Sequence, residues 1–227
     1  MMCCERSTKL RATSASVTSL RARWLGTSCC GTFSIRGDAA QRVYYDSAFP
    51  VDLVPFGGVA HDDGMLRWPP ERAIVMDVTG YGESLVAALR VEIALGTVVP
   101  VVSLPALAML KVFAWLDRGH RDRKDAQDLT LLFRRYADTI DARELHATDA
   151  DILLEVDYDF ERASPRLLGR HIRKLATPET VSRLLRNLGE ERLLHDIAID
   201  MARDMNYLDD PVAFANQQLR DFVAGLS

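Results

Sequence analysis

The stretch SLPALAMLKVFAWLDR, residues 103–118, divides the sequence into two parts of different character. Ser103 favours a helix N-cap, and Pro105 suits the first turn of a helix. From Leu104 to Leu116 every side chain is apolar except that of Lys111, and no glycine interrupts the run. The pattern predicts a helix that is buried almost all round.

The sequence before this helix favours short β-strands. The segment AQRVYYDSAFPVDLVPFG, residues 40–57, predicts two strands, Gln41–Tyr45 and Val51–Phe56, because Tyr and Val prefer strands and Pro50 is tolerated where a strand begins. The segments AIVMDVTG, LRVEIAL and VVPVVSL predict further strands, with a turn or short helix over Tyr81–Ala87.

The sequence after it favours helices. RKDAQDLTLLFRRY predicts a second helix and DARELHATDADILLEV a third. Three more segments each begin with a capping residue followed by proline, which predicts at least three more helices: SPRLLGRHIRKLA, TPETVSRLLRNL and DPVAFANQQLRDFVAGL. The fold class is therefore α+β, with a small sheet first and a helical C-terminal half.

The bulk composition excludes several classes of protein. The chain has 227 residues, 48% hydrophobic and 26% charged, as in soluble globular proteins. A net charge of −4 gives no global attraction to nucleic acid or anionic membranes. The longest apolar run is shorter than the roughly 18–20 residues that cross a bilayer. Cysteines occur only as the adjacent pairs Cys3–Cys4 and Cys29–Cys30, which fit neither a zinc site nor a disulfide framework and suit a reducing cytoplasm.

The first 36 residues differ from the rest of the chain. From Arg6 to Gly37 there is no Asp or Glu, although basic residues, Ser and Thr are frequent. Such a segment fits an organelle transit peptide or a basic tail. We favour a third hypothesis, that the segment was translated from the wrong start or reading frame.

Lys111 is the most informative residue, because a lysine in an apolar helix must reach solvent, pair with an acid or meet an anionic ligand. Helical spacing places Lys111 and Arg118 on one face, where two cations would form a cradle for a triphosphate. The alternative is an internal salt bridge from Lys111 to Asp125 or Asp128.

Three carboxylates are candidate partners of these cations or of a metal ion. Asp125 and Asp128 lie at i, i+3 on the second helix, where they can bind Mg²⁺ or hold Lys111 and Arg118 in position. Asp52 lies inside the apolar stretch FPVDLVPFG, where a charge needs a partner, and a metal ion is one candidate. The five histidines show no zinc-binding spacing, and no Gly-rich phosphate motif is present.

Together the blocks VDLVPFG, SLPALAMLKVFAWLDR with RKDAQDL, and LLGRHIRKL resemble the AbiEii/AbiGii-type nucleotidyltransferase family over residues 36–175. Members are toxins of type IV toxin–antitoxin and abortive-infection systems. The resemblance implies a polymerase-beta-like nucleotidyltransferase fold, a small mixed sheet with flanking helices. It also implies two Mg²⁺ ions, transfer of a nucleotide from an NTP to an acceptor such as tRNA, and a cognate antitoxin.

The resemblance assigns roles to particular residues. Asp52 matches the family's third acid, a metal ligand, and Lys111 matches the helical lysine near the triphosphate. Arg118 lies on the same predicted face, and the block with Asp125 and Asp128 follows. The family's Gly-Ser turn and acid-x-acid pair should precede Gln41, in the segment that has no acids. We therefore expect this particular chain to hold Mg²⁺ poorly and to be inactive.

These observations predict three regions: residues 1–36, a partial nucleotidyltransferase core over 37–102, and a helical region over 103–227. The predicted function is a cytoplasmic nucleotidyltransferase-like toxin. The alternative is a non-catalytic remnant of the same fold that binds nucleotide or antitoxin. A helical DNA-binding regulator is a third reading, which the net acidity and the lack of a basic recognition helix disfavour.

Overall fold

The computed structural model describes residues 33–36, 41–61, 63–68, 74–119 and 122–227. The chain divides into two compact units. The first comprises Met1–Pro55 and Arg67–Ile74, and the second comprises Phe56–Leu66 and Val75–Ser227. The structure does not describe residues 1–32, His120 or Gly37, the last residue of the acid-free segment. The predictions that concern them therefore lie outside the described residues.

The first unit contains a three-stranded antiparallel sheet in the order β1 (Phe33–Ser34), β2 (Arg42–Tyr45), β3 (Phe49–Asp52). The register sets Arg42 directly opposite Asp52. Strand β3 begins before the predicted strand and ends at Asp52. No residue that the structure describes in this unit is fully buried, so the sheet contributes little to a hydrophobic core.

Two further pairs of strands follow along the chain. Strand β4 (Met65–Arg67) pairs with β5 (Val75–Asp77), and β6 (Leu89–Ala94) pairs antiparallel with β7 (Thr97–Val101). The described strands thus form three small separate sheets. The β6–β7 hairpin carries a register irregularity between Glu92 and Ala94, and its apolar side chains are largely exposed.

Helices account for most of the second unit. They are α1 (Tyr81–Val86), α2 (Leu104–Arg118), α3 (Lys124–Arg135), α4 (Ala142–Thr148), α5 (Ala150–Glu155), α6 (Phe160–Leu175), α7 (Pro178–Leu188), α8 (Glu191–Ala202) and α9 (Pro211–Leu226), with a 3₁₀ turn at Ala137–Thr139. The predicted α+β class is confirmed, as are the short helix after the strand at residue 77 and the helix that begins after Ser103.

The hydrophobic core lies among these helices. Its largest fully buried side chains include Phe113 of α2, Phe133 of α3 and Phe222 of α9. The rings of Phe133 and Phe222 lie 4.9 Å apart between centroids. Helices α6 and α9 approach closely because Gly169 and Gly225 lack side chains: an added Cβ would lie 2.3 Å from the carbonyl oxygen of Phe222 or 2.0 Å from that of Arg166.

Two predicted features of the helical half were wrong, and one helix was missed. The predicted third helix is two helices, α4 and α5, which are separated at Asp149. The side chain of Asp149 is almost fully buried and accepts hydrogen bonds from Thr148 and Arg170. The backbone of Asp149 is itself not helical, with φ −136° and ψ 23°, and α4 ends there. Helix α6 begins at Phe160 rather than at Ser164, so Pro165 lies inside it. Helix α8 was not predicted.

No helix in the described part of the chain combines the length and apolarity needed to cross a bilayer.

Candidate functional site

A buried carboxylate joins the two cations of α2. Asp125, 1% exposed, accepts from Lys111 Nζ at 2.9 Å through Oδ1 and from Arg118 Nε at 2.9 Å through Oδ2, and Arg118 Nη2 donates to Oδ1 as well at 3.3 Å. Lys111 Nζ also lies 2.5 Å from Asp128 Oδ2. The sequence placed Lys111 and Arg118 on one helix face, and the structure brings both to the same acid. The alternative of an internal salt bridge is thus observed.

The electrostatics of this cluster keep all partners charged. Burial alone would raise the pKa of Asp125, but hydrogen bonds from Arg118 and Lys111 outweigh it, and the pKa is lowered. For Lys111 burial would lower the pKa, and the bonds to Asp128 and Asp125 raise it instead. At neutral pH the cluster therefore contains two cations and two carboxylates.

The cluster differs between its inner and outer sides. Asp125 is buried, whereas the side chains of Lys111 and Arg118 are 23% and 51% exposed. Asp128 is 50% exposed. Asp125 therefore holds both cations from inside, and an incoming anion would compete only with the exposed Asp128 for Lys111.

Two aromatic residues border the cluster. Burial raises the pKa of the Tyr81 phenol, and the nearby charge of Arg118 acts in the opposite direction, which places Tyr81 beside the cations. Its ring lies 5.6 Å from that of Phe56. On α2, one turn after Lys111, Trp115 is 7% exposed and donates its indole N–H to Asp200 at 3.1 Å.

Asp52 has a protein partner. Both of its carboxylate oxygens accept from Arg42, at 2.7 and 2.8 Å, across the β2–β3 ladder. The hydrogen bond from Arg42 lowers the pKa of Asp52. Asp52 belongs to the first unit and Lys111 to the second.

The residues that the structure describes do not provide a site for the two Mg²⁺ ions of the family expectation. Among them, no group of three or more His, Cys, Asp or Glu side chains is arranged to hold a metal ion. Mg²⁺ takes six oxygen ligands, and both oxygens of Asp52 already accept hydrogen bonds from Arg42. The role of Asp52 as a metal ligand therefore stays a prediction.

A pocket of about 580 Å³ lies within the second unit. Its central cation is Arg183 of α7, which donates to Asp77 at 2.6 Å and to Thr79 at 2.5 Å. The sequence analysis missed Arg183 and Asp77, because 106 residues separate them. The sequence contains one indication of this site, the acid Asp77 at the end of a predicted strand in VMDVTG.

The comparison with protein families identifies the chain. The family model described as nucleotidyl transferase AbiEii toxin, type IV TA system, matches residues 40–215, which is most of the sequence. The chain therefore belongs to the AbiEii family of nucleotidyltransferase toxins. No curated protein and no solved structure matches the chain. The family resemblance inferred from the sequence blocks is confirmed.

Proposed function

We propose that this chain binds a nucleoside triphosphate, with Lys111 and Arg118 as the phosphate contacts. The observation that carries the proposal is the shared buried partner Asp125, which fixes both cations while leaving them open to solvent. A guanidinium and an ammonium held together favour a polyphosphate, because charge-assisted hydrogen bonds to phosphate oxygens are strong and Arg offers two of them. A phosphate group would replace Asp128 as the outer partner of Lys111.

Membership of the family extends the proposal to chemistry. AbiEii toxins are described as nucleotidyl transferases of a toxin–antitoxin system. We infer that the intended reaction is transfer of a nucleotide from the bound NTP to an acceptor such as tRNA, in the cytoplasm, with Mg²⁺ as the family's metal. A cognate antitoxin is the expected protein partner.

A specific observation favours a second candidate, nucleotide binding without transfer. Asp52 pairs with Arg42 through both carboxylate oxygens, and the described residues provide no carboxylate cluster for a metal. Without clustered carboxylates, two divalent cations repel each other and the leaving pyrophosphate is not stabilised. Binding and transfer must therefore be measured separately.

Calorimetric titration with the four NTPs tests binding. We expect Lys111→Gln to lower the affinity for whichever NTP the wild-type protein binds. The expected loss is at least about tenfold, which is about 1.4 kcal/mol of binding free energy. In that variant Asp125 keeps Arg118 as its partner, so the fold is expected to persist. Arg135→Gln is the matched control, because Arg135 is 68% exposed and, among the residues that the structure describes, pairs with Asp138 on the surface. Equal affinities for all three proteins would contradict the proposal.

Incubation with labelled NTPs, Mg²⁺ and bulk tRNA tests transfer. Transfer of label to RNA by the wild-type protein, abolished in both Asp52→Ala and Lys111→Ala, would support the enzymatic function. NTP binding without label transfer would support the second candidate. A chain in which residues 1–40 are replaced by a segment with a Gly-Ser turn and an Asp-x-Asp pair is expected to gain transfer. Failure of that chain as well would exclude the enzymatic function.

A further inference from the structure

The pocket beside α7 has a cationic wall. Arg183 uses three of its N–H groups on Asp77, Thr79 and the carbonyl oxygen of Asp63. A guanidinium has five such donors, so two remain. Its guanidinium carbon also lies 5.4 Å from the ring centre of Phe113. These contacts hold the cation in place, and the remaining donors need no reorganisation to meet a ligand.

A second cation lies on the same wall. Arg186 follows Arg183 by three residues on α7 and also lines the pocket. Within the described parts of the chain, Arg186 makes no hydrogen bond or ion pair. One arginine of the wall is thus held by the protein and the other is available to an anion.

Opposite charges complete the lining. Glu83 of α1 accepts from the hydroxyl groups of Thr180 at 2.6 Å and Thr177 at 3.3 Å. Glu179 lines the pocket as well. Carboxylate oxygens accept hydrogen bonds from hydroxyl and amino groups, whereas guanidinium groups donate to phosphate. The pocket therefore offers two complementary kinds of contact.

We propose that this pocket binds a phosphorylated nucleoside, with its phosphate at Arg183 and Arg186 and its ribose or base at the carboxylates. The volume of about 580 Å³ falls within the usual range for small-molecule sites. The inference rests on the proposed nucleotide chemistry, which supplies two sources of a phosphorylated nucleoside. One is the terminal nucleotide of an RNA acceptor, with the NTP phosphates at Lys111 and Arg118; the other is the NTP itself, for which Arg183 and Arg186 would replace Lys111 and Arg118 as phosphate contacts.

Gly82 provides a test that leaves the fold intact. It lines the pocket, and nothing lies within 4 Å of the position of its missing Cβ. Gly82 is part of α1, where a side chain costs less backbone entropy than glycine. The side chain of a leucine at this position therefore starts in open space at the pocket wall. Gly58→Leu is the control, because Gly58 has equally free space but does not line the pocket.

Calorimetry with each NTP, with a short single-stranded RNA and with adenosine measures the effect. We expect Gly82→Leu and Arg186→Glu to lower the affinity for one phosphorylated ligand at least tenfold. The controls Gly58→Leu and Arg192→Glu should leave that affinity unchanged. Arg192 is 93% exposed on α8, away from the pocket lining. Weakened NTP binding identifies the donor as the ligand, and weakened RNA binding identifies the acceptor.

Several results would overturn the pocket assignment. These are unchanged affinities in Gly82→Leu, wild-type protein that binds neither NTP nor RNA, and adenosine that binds as well as the phosphorylated ligands. The proposed function fails separately. If Lys111→Gln lowers the affinity for NTP and Gly82→Leu lowers the affinity for no ligand, the proposed function is supported and the pocket assignment is wrong. If only Gly82→Leu weakens NTP, the pocket stands and Lys111 is not the phosphate contact.

Discussion

Asp125 is the residue on which the charged cluster depends. It is buried and yet ionised, because Lys111 donates to one of its oxygens and Arg118 to both. Removing Asp125 breaks the bonds to both cations, whereas removing either cation leaves the other one bonded to the carboxylate. Asp125 is therefore expected to contribute to stability more than either cation does.

Asp125→Asn is expected to lower the free energy of unfolding at pH 7 by about 2 kcal/mol, below the range for fully buried pairs because the cations are partly exposed. The folded-state pKa of Asp125 lies below its unfolded value. Its contribution is thus fully present above about pH 4 and is lost as the pH falls through the folded-state pKa. Urea unfolding of both proteins at several pH values should show the difference shrinking on acidification.

Asp138→Asn is the matched control for this pH series. Asp138 is 60% exposed and pairs with Arg135 on the surface, and surface pairs contribute little. Its unfolding curve should follow that of the wild type at every pH. A difference for Asp125→Asn that stays constant down to pH 2 would show that the carboxylate's charge is not what stabilises the fold.

Single residues were predictable where the sequence pattern itself was unusual. Lys111 was predictable because it is the one charge in an apolar helix, and its partner Asp125 because it lies on the next helix. Arg42 was missed, although counting back across the β2–β3 turn pairs it with Asp52. The pair of Arg183 and Asp77 was not predictable, because no local pattern relates α7 to the end of β5.

At the scale of elements, the crossing of α6 and α9 is the tightest contact. Gly225→Ala would place a Cβ 2.0 Å from the carbonyl oxygen of Arg166, a backbone atom that cannot move without its helix. We expect a loss of about 1–3 kcal/mol in unfolding free energy, the usual cost of overpacking. Urea or thermal unfolding measures it.

Gly82→Ala serves as the comparison for this substitution. Gly82 also lies in a helix, but its added Cβ meets no atom within 4 Å. Alanine there should be neutral or stabilise by up to about 1 kcal/mol. If both alanine variants have the same stability as the wild type, the α6–α9 crossing is looser than described.

Helix boundaries show why local signals fail. The pair Ser164–Pro165 has the signature of a helix start, and α7 and α9 do start at such signatures. In α6, however, Asp159 accepts from the backbone N–H of Glu161 at 2.9 Å and caps the helix earlier. Seven residues of α6 are buried, and that packing offsets the hydrogen bond that Pro165 cannot donate.

At the scale of the whole molecule, the two units differ in how much they bury. The core belongs to the helices of the second unit, whereas the described residues of the first unit include none that is fully buried. Segments with few buried contacts open at lower free energy than core helices. The sheet of the first unit is therefore expected to open independently of the helical core.

Hydrogen exchange followed by mass spectrometry checks this expectation. Amides of β2 and β3 should exchange at least a hundredfold faster than those of α2, α6 and α9, whose exchange requires global unfolding. Deuterium uptake that is equally slow in β3 and α6 would mean that the sheet shares the stability of the core. The sequence could not predict this contrast, since its strands and helices are similarly apolar.

The position of Trp115 means that its fluorescence can report ligand binding. Its indole ring is shielded from water, is tethered to Asp200 and lies on α2 between the two cations of the cluster. A negatively charged ligand at those cations changes the electric field across the ring, and with it the wavelength of the emitted light. Occupancy of the cluster can therefore be followed without a label, and Trp115→Phe identifies the part of the emission that belongs to it.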